Sequence, residues 1–528
     1  MYFSIPKKYH SLIGLIFIST VIRLFLAFFI ELGNDEVYYH TYALYPDWSH
    51  FDHPPMVGWF IKLFSFGLFM HGTWLMRLPA ILFAAINTWL MFELGSRIKN
   101  EKTGWYAALL YTFSLYTSII AGVFIMPDTP QVFFWIVALY LMVDVLPDKD
   151  MVRPSKRRLL ILGVVIGMGL LSKYTSVFLW LGMFLYLIFY NRNWFKSWQL
   201  YVSGIFSLIV FSPVLIWNYL HHFISFAFHG DRVNVHQSTI RFDLLGTELL
   251  GQFIYQNPAI FILVWIAVIY GIRHHYNFVE KRKFHLLLFQ AVPIILVFLF
   301  FSLYKRTLPH WTGPAYISLI IIGATFLSRK TRKRIFNYPP FIRAALITIV
   351  LVVGLGVSEI KYGLIDLKPI VGKDITLDVY GWRQMKDQFK DIKNRAEQDK
   401  IIQQNAPILS HKWFPAAHLD YYVAQRNNTH VLAWGSLDQI HKYAWINIER
   451  GGFKKGMDLW YIALENNYRS PDIYQSKFEN IIAYDTMSII RSGEVINHAY
   501  VYIFENLQEI PKDELSEFMN DYEKPKSQ

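Results

Sequence analysis

Long apolar runs dominate the first two thirds of the chain. They recur from Leu12 to about Val357, and each has roughly 15 to 22 residues, enough or nearly enough for a helix to cross a ~30 Å hydrocarbon core. Backbone polar groups must be paired internally in lipid, which favours a helical bundle. Only 17% of the 528 residues are charged, against ~25% in soluble domains. The sequence therefore predicts a polytopic α-helical membrane domain over residues 1–358.

The apolar pattern predicts about eleven transmembrane helices, the first of them retained rather than cleaved as a signal peptide. They are expected at roughly 11–31, 73–95, 104–123, 130–146, 159–172, 174–190, 199–219, 258–272, 284–303, 312–328 and 341–358. From Glu359 onward, charges, amides and short mixed segments replace the apolar runs. "YGWRQMKDQFKDIKNRAEQ" and "FPAAHLDYYVAQ" read as helices; "APILSHKW", "HVLAW", "DLWYIAL" and "AYVYIFENL" read as strands. Residues 359–528 are therefore predicted to form a small α/β domain.

The distribution of Lys and Arg predicts the orientation of the bundle. Basic residues concentrate in alternate connections, which the positive-inside rule places in the cytoplasm. The other connections are then exported, together with the C-terminal domain: "GNDEVYYHTYALYPDWSHFDHPPMVGW", "FIMPDTPQ", "LSKYTS", residues 218–257 and "YKRTLPHW". The net charge of +12 is thus a topology signal, and no nucleic-acid partner is expected because the basic residues form no continuous stripe. The chain has no cysteine, which excludes disulfides and thiolate metal sites.

Ionisable side chains collect at the predicted exported ends of the helices. A charge costs roughly 2.5 to 3.5 kcal/mol at the centre of a membrane helix and less near its ends, so such residues usually face a cavity or a partner. The candidates come from different hairpins: Asp35, Glu36, Asp128, Lys173, Lys305, Arg306 and His310. In a compact bundle they are expected to converge on one polar pocket. Carboxylates beside cations suit sugar transfer from a lipid phosphate, with a base for the acceptor hydroxyl and cations for the departing phosphate.

Each candidate also has an ordinary structural interpretation. Asp128 is suited to N-cap the following helix, and Lys173 to snorkel toward the headgroups. Lys305 and Arg306 are equally acceptable as plain loop charges. The histidines of the first exported stretch, with Asp35 and Asp52, give only weak support for a metal site: His40, His50 and His53. "HPP" at residues 53–55 favours the start of a helix, because proline suits the first helical turn.

Five segments resemble, in order, the bacterial family 39 glycosyltransferases of the protein mannosyltransferase type, relatives of the lipid A aminoarabinose transferases. They are "GNDEVYYHTYA", "FDHPPMVGWFIKLF", "MPDTPQVFFW", "LLSKYTSVF" and "KRTLPHWTGPAYISL". The resemblance covers about residues 10–330 and implies the GT-C fold, a bundle of membrane helices with an exported catalytic pocket. It also implies a polyprenyl-phosphate sugar as donor, a location in the bacterial inner membrane, and an active site and C-terminal domain on the periplasmic side.

The resemblance implies a role for each candidate residue. Asp35 is the expected general base, with Glu36 beside it, and Asp128 orients the site or the acceptor. The donor phosphate is expected to be held by cations, with His53 nearby: Lys173, Lys305, Arg306 and His310. The implied reaction is an inverting transfer of one hexose or pentose to a lipid-linked glycan, lipid A, a cell-wall polymer or a protein. No cofactor is expected; a divalent metal is possible but not needed, because polyprenyl phosphate is already a competent leaving group.

A transporter or flippase for a lipid-linked or glycan substrate is the alternative class. Such proteins are expected to have broken helices and polar residues near the bilayer midplane, often in repeated halves. The polar residues here lie mainly at the outer helix ends, and no internal repeat is found. The sequence therefore favours an enzyme. Within that class, an oligosaccharyltransferase or a glycan polymerase remains open, and so do the sugar and the acceptor.

Overall fold

The computed structural model describes residues 6–70, 72–148, 153–235, 239–329, 338–365 and 373–513, with 515 and 518. Chain contacts divide the protein into two compact units. The first comprises residues 1–27, 53–219 and 225–353, and the second comprises 28–52, 220–224 and 354–528. Each unit has its own buried hydrophobic core. The predicted division into a catalytic membrane domain over 1–358 and an exported domain over 359–528 stays a prediction.

The apolar part of the chain forms long helices. In order they are α1 Lys7–Phe29, α2 Asn34–Leu44, α3 Met56–Phe64, α4 Thr73–Ile98, α5 Glu101–Phe113, α6 Asp128–Val145, α7 Arg153–Ser172, α8 Val177–Tyr190, α9 Trp198–Leu220, α10 Ile224–Val233, α11 Phe242–Tyr255, α12 Pro258–Arg273, α13 Lys281–Ser302, α14 Gly313–Leu327 and α15 Pro340–Tyr362. Every predicted apolar helix overlaps one of these. The polytopic helical class is therefore confirmed.

The number of membrane spans is a separate matter. Within the described ranges, seven helices are long and apolar enough to cross a membrane, and an eighth span is obtained if α11 and α12, bent by 101°, count as one. The predicted number of about eleven is not confirmed. One predicted helix, 104–123, is wrong as a single element, because α5 ends at Phe113 and Ser114 adopts an extended conformation (ψ 131°). A π-helical turn, Tyr116–Ile120, follows the break.

The shorter helices of the first unit were only partly predicted. The helix expected after the "HPP" stretch is present, since α3 begins at Met56 with Pro55 as its N-cap. In contrast, residues 218–257 were read as one long loop but contain α10 and α11. These helices have only 10 and 14 residues and are interrupted by charged ones, Asp231 and Arg232 in α10 and Asp243 and Glu248 in α11. Neither therefore forms a membrane-length apolar run.

Helices α7 and α9 approach each other closely through small residues. The hydroxyl of Ser203 donates to the carbonyl oxygen of Leu159 at 2.8 Å, and the hydroxyl of Ser207 donates to that of Gly163 at 2.5 Å. A Cβ atom at Gly163 would lie 2.1 Å from the carbonyl oxygen of Ser203. Small residues and interhelical hydrogen bonds are the usual means by which membrane helices pack. Glycine is therefore required sterically at this contact.

The C-terminal part forms an α/β domain around a five-stranded mixed sheet. The strands are β1 Ile408–Ser410, β2 Val431–Ala433, β3 Leu459–Leu464, β4 Phe478–Arg491 and β5 Glu494–Leu507, in the order β2-β1-β3-β5-β4. β1 pairs in parallel with β2 and β3, whereas β5 is antiparallel to β3 and β4. Its helices are α16 Trp382–Gln398, α17 Trp413–His418, α18 Leu437–Ile440 and α19 Tyr443–Glu449. The predicted small α/β domain is confirmed, although β4 was missed.

The contact between α7 and α9 can be tested with paired alanine variants. We expect Gly163→Ala to lower the free energy of unfolding by roughly 1–3 kcal/mol, because the added methyl group forces the two backbones apart. Gly204→Ala is the matched control, since a Cβ atom there meets nothing within 4 Å. Thermal unfolding in detergent compares the two. Equal melting temperatures for both variants would contradict the close approach.

Candidate active site

Asp128 lies at the first residue of α6 and is buried. Pro127 occupies the N-cap position, and the Asp128 side chain makes no capping bond. Instead, its Oδ2 accepts a hydrogen bond from the Lys173 ammonium at 2.7 Å, and its Oδ1 accepts one from the Tyr116 hydroxyl at 2.8 Å. The interacting side chains of Asp128 and Lys173 are only 1% and 7% exposed. The simple N-cap interpretation of Asp128 is therefore wrong: the carboxylate is half of a buried ion pair.

Lys173 lies at the break between α7 and α8. α7 ends at Ser172, Lys173 is extended (φ −158°, ψ 135°), and a 3-10 turn leads into α8. Gln131 of α6 holds that turn by donating to the hydroxyls of Thr175 (2.7 Å) and Ser176 (3.2 Å). The ammonium of Lys173 thus points into the bundle toward a carboxylate. Its interpretation as a snorkelling residue is wrong.

The turn between α13 and α14 brings a third polar group to this region. His310 lies in the 3-10 turn Pro309–Thr312 and interacts electrostatically with both Asp128 and Lys173. The side chain of Arg306 is exposed. Lys305 donates to the carbonyl oxygen of Asp231 in α10 at 2.6 Å. Three separate turns of the first unit therefore contribute a carboxylate, an ammonium and an imidazole to one cluster.

A second buried carboxylate, Glu248 of α11, was missed in the sequence. Its two oxygens accept hydrogen bonds from the Gln252 amide (2.9 Å) and the Thr307 hydroxyl (2.7 Å), and the Gln252 carbonyl accepts one from the Tyr316 hydroxyl (2.8 Å). Thr307 follows Arg306 directly, so this network fixes the turn that carries the exposed arginine. The available signal was the spacing of Glu248 and Gln252, because residues i and i+4 share one face of a helix.

His53 is linked to the turn after Lys173 by two successive ring contacts. Its ring lies 6.3 Å from that of His229, which lies 5.2 Å from the ring of Tyr174, the residue after Lys173. Among the described residues, no three His, Asp or Glu side chains are grouped so as to hold a metal ion. The expectation that the reaction needs no metal stays a prediction.

The two acids of the opening stretch have different environments within the second unit. α2 begins at Asn34, and the buried Glu36 carboxylate accepts the Gly33 N–H at 3.0 Å, thereby capping its own helix. The Asp35 side chain, one residue earlier, is exposed. Of the pair, Glu36 is thus engaged in holding the helix, and Asp35 is accessible to a reactant. Because Asp35 and Asp128 belong to different units, their predicted convergence stays a prediction.

The remaining polar residues of that stretch form a buried network. Asp52 accepts hydrogen bonds from the hydroxyls of Tyr38 (2.9 Å) and Tyr42. The amine of Lys442 lies 2.6 Å from His50 Nδ1 and donates to the carbonyl oxygen of Tyr45 at 2.6 Å. Burial lowers the pKa of Lys442 to about 7, opposed by nearby carboxylates. His40 packs edge-on against Tyr421 at 4.9 Å. These contacts give Asp52, His40 and His50 structural roles.

Comparisons with known proteins agree with this architecture. Residues 52–217 match the family described as dolichyl-phosphate-mannose-protein mannosyltransferase. The lipid A galacturonosyltransferase RgtD of Rhizobium johnstonii is 24% identical over 305 residues, which cover 57% of this chain and 61% of that protein. The chain thus spans under two thirds of the curated relative's length.

Two solved structures of ArnT from Cupriavidus metallidurans share the fold. The apo form superimposes with a TM-score of 0.59 over 93% of this chain and 98% of that one. The form bound to undecaprenyl phosphate gives 0.61 over 94% and 98%; both are 14% identical. The protein is therefore a polytopic membrane protein with the GT-C fold and a small C-terminal sheet domain. The match of residues 52–217 to a mannosyltransferase family and the shared fold bear out the resemblance to the family 39 glycosyltransferases noted in the sequence.

The buried ion pair can be tested by removing one or both charges. We expect Lys173→Met to lower the free energy of unfolding by roughly 3–5 kcal/mol, because it leaves the Asp128 charge buried without its cation. The double variant Lys173→Met/Asp128→Asn should lose less than the single variant, since no buried charge is left. Thermal unfolding in detergent measures both. The single variant Asp128→Asn completes the comparison. If the double variant loses the sum of what Lys173→Met and Asp128→Asn each lose alone, the two charges are not coupled.

Proposed function

We propose that this protein is an inverting glycosyltransferase. It moves one monosaccharide from a polyprenyl-phosphate sugar to a hydroxyl of an acceptor on the extracytoplasmic face of the bacterial inner membrane. The observation that carries the proposal is the cluster of Asp128, Lys173 and His310, built from three separate turns within a GT-C fold. Support also comes from the names of the similar proteins: ArnT was solved with undecaprenyl phosphate, and the curated relative is a lipid A galacturonosyltransferase.

The reaction needs one base and a site for a growing negative charge. We assign the base to Asp35, because its exposed carboxylate can receive the proton of the acceptor hydroxyl. The acceptor oxygen forms a bond to the anomeric carbon as the bond from that carbon to the phosphate oxygen breaks. A single displacement inverts the anomeric centre. The products are the glycosylated acceptor, protonated Asp35 and polyprenyl phosphate. The phosphate then carries one more negative charge than it did in the donor.

The phosphate is assigned to the cations of the first unit. Lys173 is already paired with Asp128, so the net positive charge available to a phosphate comes mainly from the exposed Arg306. Arginine suits this role because its planar guanidinium can bind two phosphate oxygens. The half-buried His310 is assigned as a hydrogen-bond donor to the phosphate. Lys173 and Asp128 orient the site between them, and Lys305 and His53 complete the proposed substrate-binding set.

The sugar and the acceptor are proposed only as classes. A hexose or a pentose is expected, and the acceptor is a lipid-linked glycan, lipid A, a cell-wall polymer or a protein. The same proton transfer serves any of these hydroxyl groups, so the chemistry of Asp35 does not select among them. A metal is not assigned a role, because the side-chain cations listed above can stabilise the leaving phosphate.

A transporter is not favoured. The described part of the chain contains one sharply bent helix pair, α11–α12, whereas transporters commonly place such breaks in corresponding positions of repeated halves. The break here lies beside the Glu248 network that fixes the Arg306 turn. It therefore has a place in the proposed enzyme.

The role of Asp35 is tested by turnover of purified protein in liposomes with a panel of polyprenyl-phosphate sugars. We expect Asp35→Asn to fold and insert but to release polyprenyl phosphate at least about a hundredfold more slowly, because the amide cannot accept the proton. Asp47→Asn is the matched control, since it removes another acid of the same stretch. Undiminished turnover by Asp35→Asn excludes that residue as the base.

The role of Arg306 is tested by binding. We expect Arg306→Ala to weaken donor binding by about tenfold or more, because it removes a charge-assisted bidentate contact, and to leave acceptor binding nearly unchanged. Arg192→Ala provides the control, since Arg192 is an exposed arginine on the predicted cytoplasmic side. Titration with a non-hydrolysable donor analogue measures the affinities. Donor affinity equal to that of the unaltered protein would remove Arg306 from the phosphate site.

A further inference from the structure

The segment that leads into α2 is hydrogen-bonded to the C-terminal domain through two successive residues, Glu31 and Leu32. The Glu31 carboxylate accepts hydrogen bonds from the backbone N–H groups of Trp382 (2.8 Å) and Arg383 (3.3 Å), and thereby satisfies the first turn of α16. The next residue, Leu32, donates its backbone N–H to the Tyr422 hydroxyl at 2.7 Å. All these groups lie in the second unit. The backbone just before Asp35 is therefore fixed from outside the helix.

The residue next to Asp35 is held by a buried histidine. His418 Nε2 lies 2.8 Å from the side-chain oxygen of Asn34, and the His418 ring stacks on Trp382 at 3.9 Å with an interplanar angle of 11°. Burial lowers the pKa of His418 to about 3, so the neutral ring donates its Nε2–H to the Asn34 oxygen. Asp378 also hydrogen-bonds Asn34. Asn34, the residue before the exposed Asp35, is thus held by hydrogen bonds to His418 and Asp378.

The far end of α2 is fixed as well. The Tyr38 hydroxyl accepts the backbone N–H of Lys442 at 3.3 Å, and the Lys442 amine donates to the carbonyl oxygen of Tyr45. Arg450 donates to the Tyr45 hydroxyl at 3.0 Å and forms a buried ion pair with Asp420 at 2.7 Å. A helix of 11 residues is marginal by itself in water. Its conformation therefore depends on these contacts.

We propose that the C-terminal domain is a platform that positions Asp35 for catalysis, with Tyr422 and His418 as positioning residues. This inference rests on the proposed role of Asp35 as the base. Neither positioning residue needs to touch the substrate, because each acts through the backbone or side chain adjacent to Asp35. A catalytic group displaced by about 1 Å can lose ~10²-fold in rate. The domain then contributes to the chemical step by restricting the base to one geometry.

The test uses the full-length protein and the liposome assay with a polyprenyl-phosphate sugar. Tyr422→Phe removes only the hydroxyl that accepts the Leu32 N–H, and His418→Ala removes the donor to Asn34. We expect each to lower kcat by at least about tenfold without changing donor affinity. His418→Gln, whose amide can still donate to Asn34, should recover part of the rate. Tyr461→Phe is the control: its hydroxyl is equally tied, to the carbonyl oxygen of Arg469 at 2.8 Å, but it does not contact residues 31–35.

Combination with Asp35→Asn separates positioning from general damage. If Tyr422 and His418 act through Asp35, adding Tyr422→Phe or His418→Ala to Asp35→Asn lowers the residual rate no further. Losses that multiply in that background, or an unchanged kcat in both single variants, overturn the platform. A fall in donor affinity equal to the fall in kcat also overturns it. Failure of the proposed function gives a different result, namely full turnover by Asp35→Asn alone.

If His418→Ala does not fold, Tyr422→Phe and Glu31→Gln still decide the matter. Glu31→Gln keeps a carbonyl acceptor for the Trp382 N–H while removing the negative charge that strengthens the bond. It should therefore give a smaller loss of kcat than Tyr422→Phe/Glu31→Gln together. Thermal unfolding checks that each variant is folded. No decrease of kcat in the folded double variant contradicts the proposal.

Discussion

A carboxylate inside an apolar helix bundle is tolerable only if its charge and its lone pairs are met. Asp128 satisfies this condition through the Lys173 ammonium and the Tyr116 hydroxyl. Both partners lie where a regular helix is interrupted, after the break at Ser114 and at the end of α7. The interruptions thus lie where polar groups have to meet, and these two hydrogen bonds of one carboxylate tie together three segments of the first unit.

The two acids assigned to the reaction differ because their surroundings differ. Asp128 is neutralised by a buried cation and is suited to orienting other groups. Asp35 is exposed on a short helix whose ends are held by hydrogen bonds to the C-terminal domain. The carboxylate of the adjacent Glu36 accepts the Gly33 N–H and caps that helix. Environment decides which carboxylate of a set can exchange a proton. The adjacent acids Asp35 and Glu36 therefore differ in role: Asp35 is exposed, whereas Glu36 caps α2.

Much of the fold was readable from the sequence because membrane helices must be long and apolar. The long helices were found on that basis, whereas the α/β character of the C-terminal part was found from helical spacing and short apolar runs. α11 was missed because its 14 residues include Asp243 and Glu248 and form no continuous apolar run, and the role of Glu248 was missed with it. β4 was missed because most residues of this 14-residue strand are exposed or half-buried, and polar residues such as Asn480, Asp485 and Ser488 interrupt its apolar alternation. The sequence predicted Asp128 and Lys173 in one polar pocket, but periodicity carries no information about which distant groups pair, so their direct ion pair was not predicted.

The fastening of α2 has a consequence for biosynthesis. Asn34 and His418 are 384 residues apart in the chain, and Tyr45 and Arg450 are 405 apart. Translation proceeds at about 5–20 residues per second, so the helix that bears Asp35 is made tens of seconds before its partners exist. During that interval it has no platform on which to fold. Maturation of the protein therefore waits for its last third, and a chain released early, with every apolar helix already inserted, would lack an ordered Asp35.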